Sequence, residues 1–275
     1  MNNNHLIKLP DLENFIDISE QQIRQFQEDG HTLIRSILNA EEVDAYRDTI
    51  VAAADKFNSE TRKLADRDTY GKAFLQIMNL WRNDENVKKF VLAKRFAKIA
   101  ADLLSVKNVR VYHDQALFKE PGGGPTPWHQ DQNYWPLDTD KTVTMWMPLV
   151  DIPNADMGML TFASGSHRKG NISDVIISDE SEETFESYVR KHQFPVYRPS
   201  SMKAGDATWH YGYTIHNAPG NKSDVRREVM TIIYFADGAT VSQPKHQWQE
   251  NDHQKWLMGK TVGTPADSEL NPAIL

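Results

Sequence analysis

The chain has 275 residues, 39% of them hydrophobic, which is enough to bury a substantial core in one large domain or two small ones. We read residues 1-275 as a single domain. A formal charge of −7 with no lysine/arginine run argues against DNA or RNA as a partner, and the absence of cysteine excludes disulfides, thiolate zinc sites and a cysteine nucleophile. Any metal must therefore use nitrogen and oxygen ligands.

The N-terminus, Met1 to Lys8, lacks the basic and apolar regions of a secretory signal, and no later stretch is apolar for long enough to suggest a membrane span. A soluble, cytoplasmic protein without a membrane partner is the expectation. Ser19 with Gln22 three positions later forms a capping box and predicts a helix that stops near Gly30. His31–Arg35 fits a short strand, and Asn39 caps a second helix running to about Phe57. Apolar spacing at Val87, Phe90, Val91, Phe96, Ile99 and Leu103 predicts one or two further helices over 83–105.

From Val109 the period changes to that of strands. Val109–Lys119 is a long β-branched and aromatic run, ended by the Pro/Gly loop 121–127. Further strands are expected at 142–150, 158–163, 206–210, 213–216 and 227–236. Residues 171–200 read as a polar lid segment, a loop plus a helix over the mouth of the sheets, and 237–275 as a C-terminal tail. A helical front (18–105) followed by a strand-rich 106–236 is the pattern of a β-sandwich or jelly roll backed by helices.

All candidate ligands fall in that β region. His129 and Asp131 are one residue apart, a spacing that places two side chains on one face of a strand, and His216 on another strand would complete two histidines and a carboxylate. This is the ligand set of non-haem Fe(II) oxygenases, although zinc also accepts it. The short motif alone is weak, since about one His-x-Asp is expected by chance in a chain of this composition. His210, six residues before His216, is a competing ligand unless Tyr211-Gly212-Tyr213 turns the chain. The Gly122-Gly123-Gly124 run lacks the lysine and helix of a phosphate loop, which removes nucleotide binding.

The ordered series Trp128-His129-Gln130-Asp131, Trp146 to Asp151, Gly158 to His167, Gly205-Asp206 and His216 to Arg227 resembles the phytanoyl-CoA dioxygenase family of Fe(II)/2-oxoglutarate oxygenases, including its ectoine-hydroxylase-like members. The resemblance extends from the Asp29-Gly30 turn to Tyr234. It implies a mainly β fold with flanking α, a double-stranded β-helix (jelly roll, cupin-like) with the N-terminal helices packed on one sheet. It further implies that His129, Asp131 and His216 hold Fe(II), and that Arg227 pairs with the distal carboxylate of the cosubstrate 2-oxoglutarate. A planar guanidinium suits a carboxylate better than the point charge of lysine, and the alternative, Arg226, should face the opposite way on the strand.

By the same resemblance Gln115 and Thr144 would hydrogen-bond the cosubstrate and Trp146 would wall its pocket. Tyr134, Trp135 and His210 are the substrate-contact candidates. Where many relatives carry a Gly-Ser pair after the distal histidine, this chain has Asn217-Ala218. Asp131 is retained where halogenating relatives have a small residue, so oxygenation is the expected chemistry: O2 is consumed, 2-oxoglutarate yields succinate and CO2, and a small organic metabolite is hydroxylated or otherwise oxidised. The acidic chain offers no basic cradle for an acyl-CoA. A metal-dependent non-oxidative enzyme, or a small-molecule-binding module on the same scaffold, is the alternative.

Overall fold

The computed structural model describes residues 9–275, so the reading of Met1 to Lys8 lies outside the described residues. The helical front forms as its caps dictate. Helix α1 (Glu20–Asp29) has the Ser19/Gln22 capping box and ends on Gly30 at φ 81°, while α2 (Ala40–Phe57) has a second box made by Asn39 and Glu42. The 83–105 region divides into α4 (Glu85–Val91) and α5 (Lys94–Leu104), preceded by a short α3 (Thr69–Ala73).

Among the described residues ten strands make two sheets. The larger contains β1 (His31–Ile34), β2 (Leu75–Met78), β3 (Val109–Lys119), β5 (Thr142–Pro148), β8 (Ala207–Tyr211) and β10 (Arg227–Ala236), in the order β1-β8-β5-β10-β3-β2. The smaller contains β4 (Thr126–His129), β6 (Thr161–Ala163), β7 (Val196–Tyr197) and β9 (His216–Ala218), in the order β4-β9-β6-β7. All strand pairs are antiparallel. Mainly antiparallel sheets with flanking helices are the expected double-stranded β-helix.

The period-2 alternation of the central strands sorts their side chains onto two faces. On β10, Met230, Ile232 and Tyr234 join Phe90, Phe96, Ile99 and Trp209 in the main core beneath the front helices, whereas Arg227, Thr231 and Ile233 line a cavity between the sheets. β5 divides in the same way: Val143, Met145 and Met147 are core, and Thr144 and Trp146 face the cavity. Asp206, in the Gly205-Asp206 turn, accepts bonds from Arg35 and from the Ser36 and Lys203 amides, tying β1 to the start of β8.

Three sequence expectations need correction. The 171–200 segment is not simply a polar lid: α6 (Asp179–Lys191) buries Phe185 and Val189 against Trp128 and Ile215, and Glu182 accepts the Trp128 amide at 2.7 Å. Only the preceding loop, with Ile177, reaches the cavity. Residues 237–275 are not a plain tail either, because they form α7 (Gln247–Trp256) and a cluster in which Val241, Trp256 and Leu257 pack on Tyr112 and Trp135. Finally, β4 ends at His129, and Asp131 opens a 3₁₀ turn (Asp131–Tyr134), so the pair does not share a strand face.

Candidate metal and cosubstrate site

Register brings the ligands together. His129 lies directly opposite His216 in the β4/β9 pair, with ring centroids 4.1 Å apart, and the 3₁₀ turn swings Asp131 back beneath both. The His129 Nε2 to Asp131 Oδ1 distance is 3.4 Å and the His216 Nε2 to Asp131 Oδ1 distance is 3.7 Å; one ligand atom from each residue falls within 4.8 Å of the others. Among the described residues this is the one such grouping of three.

The backbone fixes which nitrogen each imidazole offers. Nδ1 of His129 lies 2.7 Å from the Pro127 carbonyl and Nδ1 of His216 lies 2.9 Å from that of Thr214. A carbonyl only accepts, so each Nδ1 carries the proton and each Nε2 presents a lone pair to the common point. Burial, then His129 and His210, hold His216 well below the usual histidine range, and so keep it neutral. Burial alone would raise the Asp131 carboxyl; the opposing effects of His216, His129 and His210 outweigh it and keep Asp131 well below the usual carboxylate range. Two Nε2 atoms and one carboxylate oxygen are what a divalent cation with nitrogen and oxygen ligands requires.

His210 and Thr144 act on the other oxygen of the same carboxylate. The Thr144 hydroxyl donates to Asp131 Oδ2 at 2.9 Å, and His210 Nε2 is 3.2 Å from it. The turn at 211–213 moves the chain from β8 in one sheet to β9 in the other, so His210 is not a third histidine in the ligand grouping. Thr144, expected at the cosubstrate, has its proton committed to Asp131. Both residues orient the carboxylate, leaving Oδ1 turned toward the histidines.

Arg227 is 1% exposed and lines the same cavity. Its Nη1 donates to the Gly158 carbonyl at 2.8 Å and its Nη2 to the Leu117 carbonyl at 3.3 Å, while its Nε has no partner. The guanidinium lies 5.3 Å from the centre of the Trp146 ring. No carboxylate pairs with it among the described residues, and burial brings its pKa down to about 9. Directly across the β10/β3 pair sits Lys119, also buried, with Nζ bonded to the Gly124 carbonyl at 2.5 Å and to Thr126 at 3.3 Å. Burial and then the Arg227 charge lower Lys119 to about 6. Arg227, a buried cation with no counter-ion beside a lysine whose charge is suppressed, forms a receptor for an anion. Arg226, by contrast, faces the front helices, where it pairs with Asp55 and Glu228.

Gln115 lies at the end of a relay. The Tyr70 hydroxyl donates to Gln76 at 2.8 Å, and Gln76 donates to Gln115 Oε1 at 2.7 Å, which leaves the Gln115 amide hydrogens for the cavity. Ala218 lines the wall without offering a hydroxyl. Of the substrate candidates, Tyr134 and Trp135 both line the cavity, and the Tyr134 hydroxyl accepts the Ile177 amide at 2.9 Å. Sequence reading missed Lys119, Tyr70, His113, Trp248 and Asp252. The last two lie on α7, where a Trp and an Asp four residues apart share a helix face.

Two antiparallel sheets enclosing a His-x-Asp…His grouping beside a buried arginine define a non-haem Fe(II)- and 2-oxoglutarate-dependent dioxygenase. The model of the family "Phytanoyl-CoA dioxygenase (PhyH)" matches residues 26–229, and the chain belongs to that family. It is 27% identical over 241 residues to a probable alpha-ketoglutarate-dependent hypophosphite dioxygenase of Stutzerimonas stutzeri, covering 80% of this chain and 79% of that one. With phytanoyl-CoA dioxygenase 1 of Oryza sativa subsp. japonica it shares 23% identity, over 90% of this chain and 96% of the relative. The crystal structure of SnoK, a non-heme alpha ketoglutarate dependent carbocyclase from nogalamycin biosynthesis, superposes with a TM-score of 0.78 at 25% identity, covering 97% of this chain and 99% of that one. No helix among the described residues is long and apolar enough to cross a membrane.

Proposed function

We propose that this dioxygenase oxidises a small organic metabolite at a single site, in which His129, Asp131 and His216 hold Fe(II) and Arg227 receives the distal carboxylate of 2-oxoglutarate. The observation that carries the reading is the shared cavity: three convergent ligand atoms and an uncompensated buried guanidinium line the same space. The donor set fits the metal and the cation fits the diacid. Bound iron supplies the O2 activation that couples decarboxylation of 2-oxoglutarate to oxidation of the substrate.

The chain's own residues then do three things. Arg227, with Trp146 behind it and Lys119 beside it, fixes the far end of the keto acid by a charge-assisted fork. The free Gln115 amide can donate to an oxygen of the same molecule. Thr144 and His210 keep the Asp131 carboxylate in a single orientation, the kind of outer support whose loss typically costs about 10–100-fold in metal affinity or activity. Tyr134 and Trp135 wall the remaining space and help exclude water. In this reading residues 9–275 work as one catalytic domain, since α7 supplies part of the pocket. Succinate release by the Fe(II)-loaded protein, compared with Asp131→Ala and His216→Ala, tests the assignment. Turnover should vanish in both variants, and equal turnover in all three would sink it.

A further inference from the structure

The part of the cavity away from Arg227 has a composition of its own. Apart from Arg227, Asp131 and the histidines around it, the acidic and basic side chains lining the cavity are His113 and Asp252. Asp252 accepts a bond from the Tyr112 hydroxyl at 3.0 Å, which leaves most of the carboxylate's accepting capacity unused. The cation nearest it in sequence, Lys255, is exposed and sits 4.4 Å over the Trp256 ring. Burial accordingly pushes the Asp252 carboxyl up to about 7, against the opposing effects of Tyr112, Lys255 and Trp256. Asp131 and Asp252 both line this cavity, as does Tyr70.

Around Asp252 the wall is aromatic. Trp248 stands edge-on to Tyr134 with centroids 6.4 Å apart, and Trp135 and Tyr70 line the same region. His113, 2% exposed and without a partner for Nδ1, is held neutral by burial at a pKa of about 3, so it does not repel a positive charge. A partly satisfied carboxylate beside π-faces attracts a cation. An anionic substrate would meet the Asp252 charge with no cation in this half to offset it.

We infer that the substrate carries a cationic nitrogen, an ammonium or guanidinium group, seated between the Asp252 carboxylate and the rings of Trp248 and Tyr134. The inference rests on the oxygenase reading only for the identity of this cavity as the substrate site. Its test is binding, not turnover. The protein, loaded anaerobically with Fe(II) and 2-oxoglutarate, is titrated with two pairs of a cation and its neutral isostere, choline with 3,3-dimethylbutan-1-ol and ethylguanidine with ethylurea, following tryptophan fluorescence and heat.

In at least one pair the cation should bind about 10-fold or more tighter than its isostere. That preference should disappear in Asp252→Asn and persist in Asp252→Glu. No preference in either pair, or a preference that survives in Asp252→Asn, overturns the proposal. The visible absorption band of the anaerobic Fe(II)/2-oxoglutarate complex is recorded on the same samples. Its absence would count against the oxygenase reading alone, and a normal band without cation preference against the ammonium site alone.

Discussion

Replacing Arg227 by methionine removes the cation while conserving most of the buried volume. In the protein alone the guanidinium is fully buried, bonded only to the Gly158 and Leu117 carbonyls and lacking a partner at Nε, next to the buried Lys119 amine whose charge burial and the guanidinium suppress. The free enzyme therefore gains little from it, and Arg227→Met should unfold at a temperature equal to or above that of wild type. The cosubstrate complex should behave oppositely. Losing one partner of a buried ion pair costs about 3–5 kcal/mol, which corresponds to roughly 100- to 4,000-fold weaker 2-oxoglutarate binding. Wild type held at 100 times its dissociation constant gains about 2.7 kcal/mol, a rise of about 5–10 °C in melting temperature, and the variant at the same concentration should show almost none of it. Scanning calorimetry with and without 2-oxoglutarate, alongside titration with 2-oxobutyrate, which lacks the distal carboxylate, separates the contributions. The reasoning is refuted if Arg227→Met keeps its 2-oxoglutarate shift, or loses affinity for 2-oxobutyrate to the same extent.

Thr144→Val deletes the hydroxyl that grips Asp131 Oδ2 while preserving shape, and should weaken Fe(II) binding by about 10–100-fold, measured by chelator competition, with the fold intact by circular dichroism. Gly158→Ala should impair 2-oxoglutarate binding without touching a charge: φ is +74°, and an added Cβ would meet the Lys119 Cδ at 2.9 Å, disturbing the carbonyl that seats Arg227. Asp114, fully buried with the Leu80 and Trp81 amides donating to it, has its carboxyl raised by burial to about 7. The native state thus binds more protons than the unfolded chain between about pH 4 and 7, so Asp114 lowers stability as pH rises through that window, by at most about 1.4 kcal/mol per pH unit. Denaturant titrations of Asp114→Asn across the window should show that slope reduced. Chelating the metal should abolish succinate formation, with recovery on adding Fe(II) but not Zn(II).

The front helices were legible because capping chemistry is local: Ser19/Gln22 and Asn39 announce helix starts whatever they pack against. The long strands were legible because burial on both faces fills them with β-branched and aromatic residues. The grouping of His129, Asp131 and His216 and the shared cavity with Arg227 were legible in their order along the chain, yet the geometric reason first attached to the His-x-Asp pair was wrong. The bend at Gln130 that starts a 3₁₀ turn depends on Gln130 bonding the Gly170 and Tyr213 carbonyls, contacts no local pattern encodes. Thr144 lines the expected cavity, but its bond to Asp131 was not legible, since alternation gives a face and not a bond. Asp252 and Trp248 were missed because α7 is polar by composition, and its docking depends on long-range ties such as Gln249 to the Asn133 carbonyl and Asp252 to Tyr112.

The cavity has two authors within one chain. Its iron and keto-acid end is made by strands β3, β4, β5, β8, β9 and β10, whose opposite faces form the core or whose partners are other strands, so changes there are felt throughout the molecule. Its other end is supplied by pieces lying outside that lattice: the short run around Tyr70, the loop carrying Ile177, and α7. The residues that those pieces turn toward the cavity, such as Ile177 and Trp248, lie outside the buried clusters and can change at little expense to the frame, so the substrate end can be rewritten there while the reactive chemistry stays as it is. Exchanging the cavity-facing residues Ile177, Trp248 and Asp252 for those of a relative should therefore shift substrate preference and leave keto-acid affinity where it was.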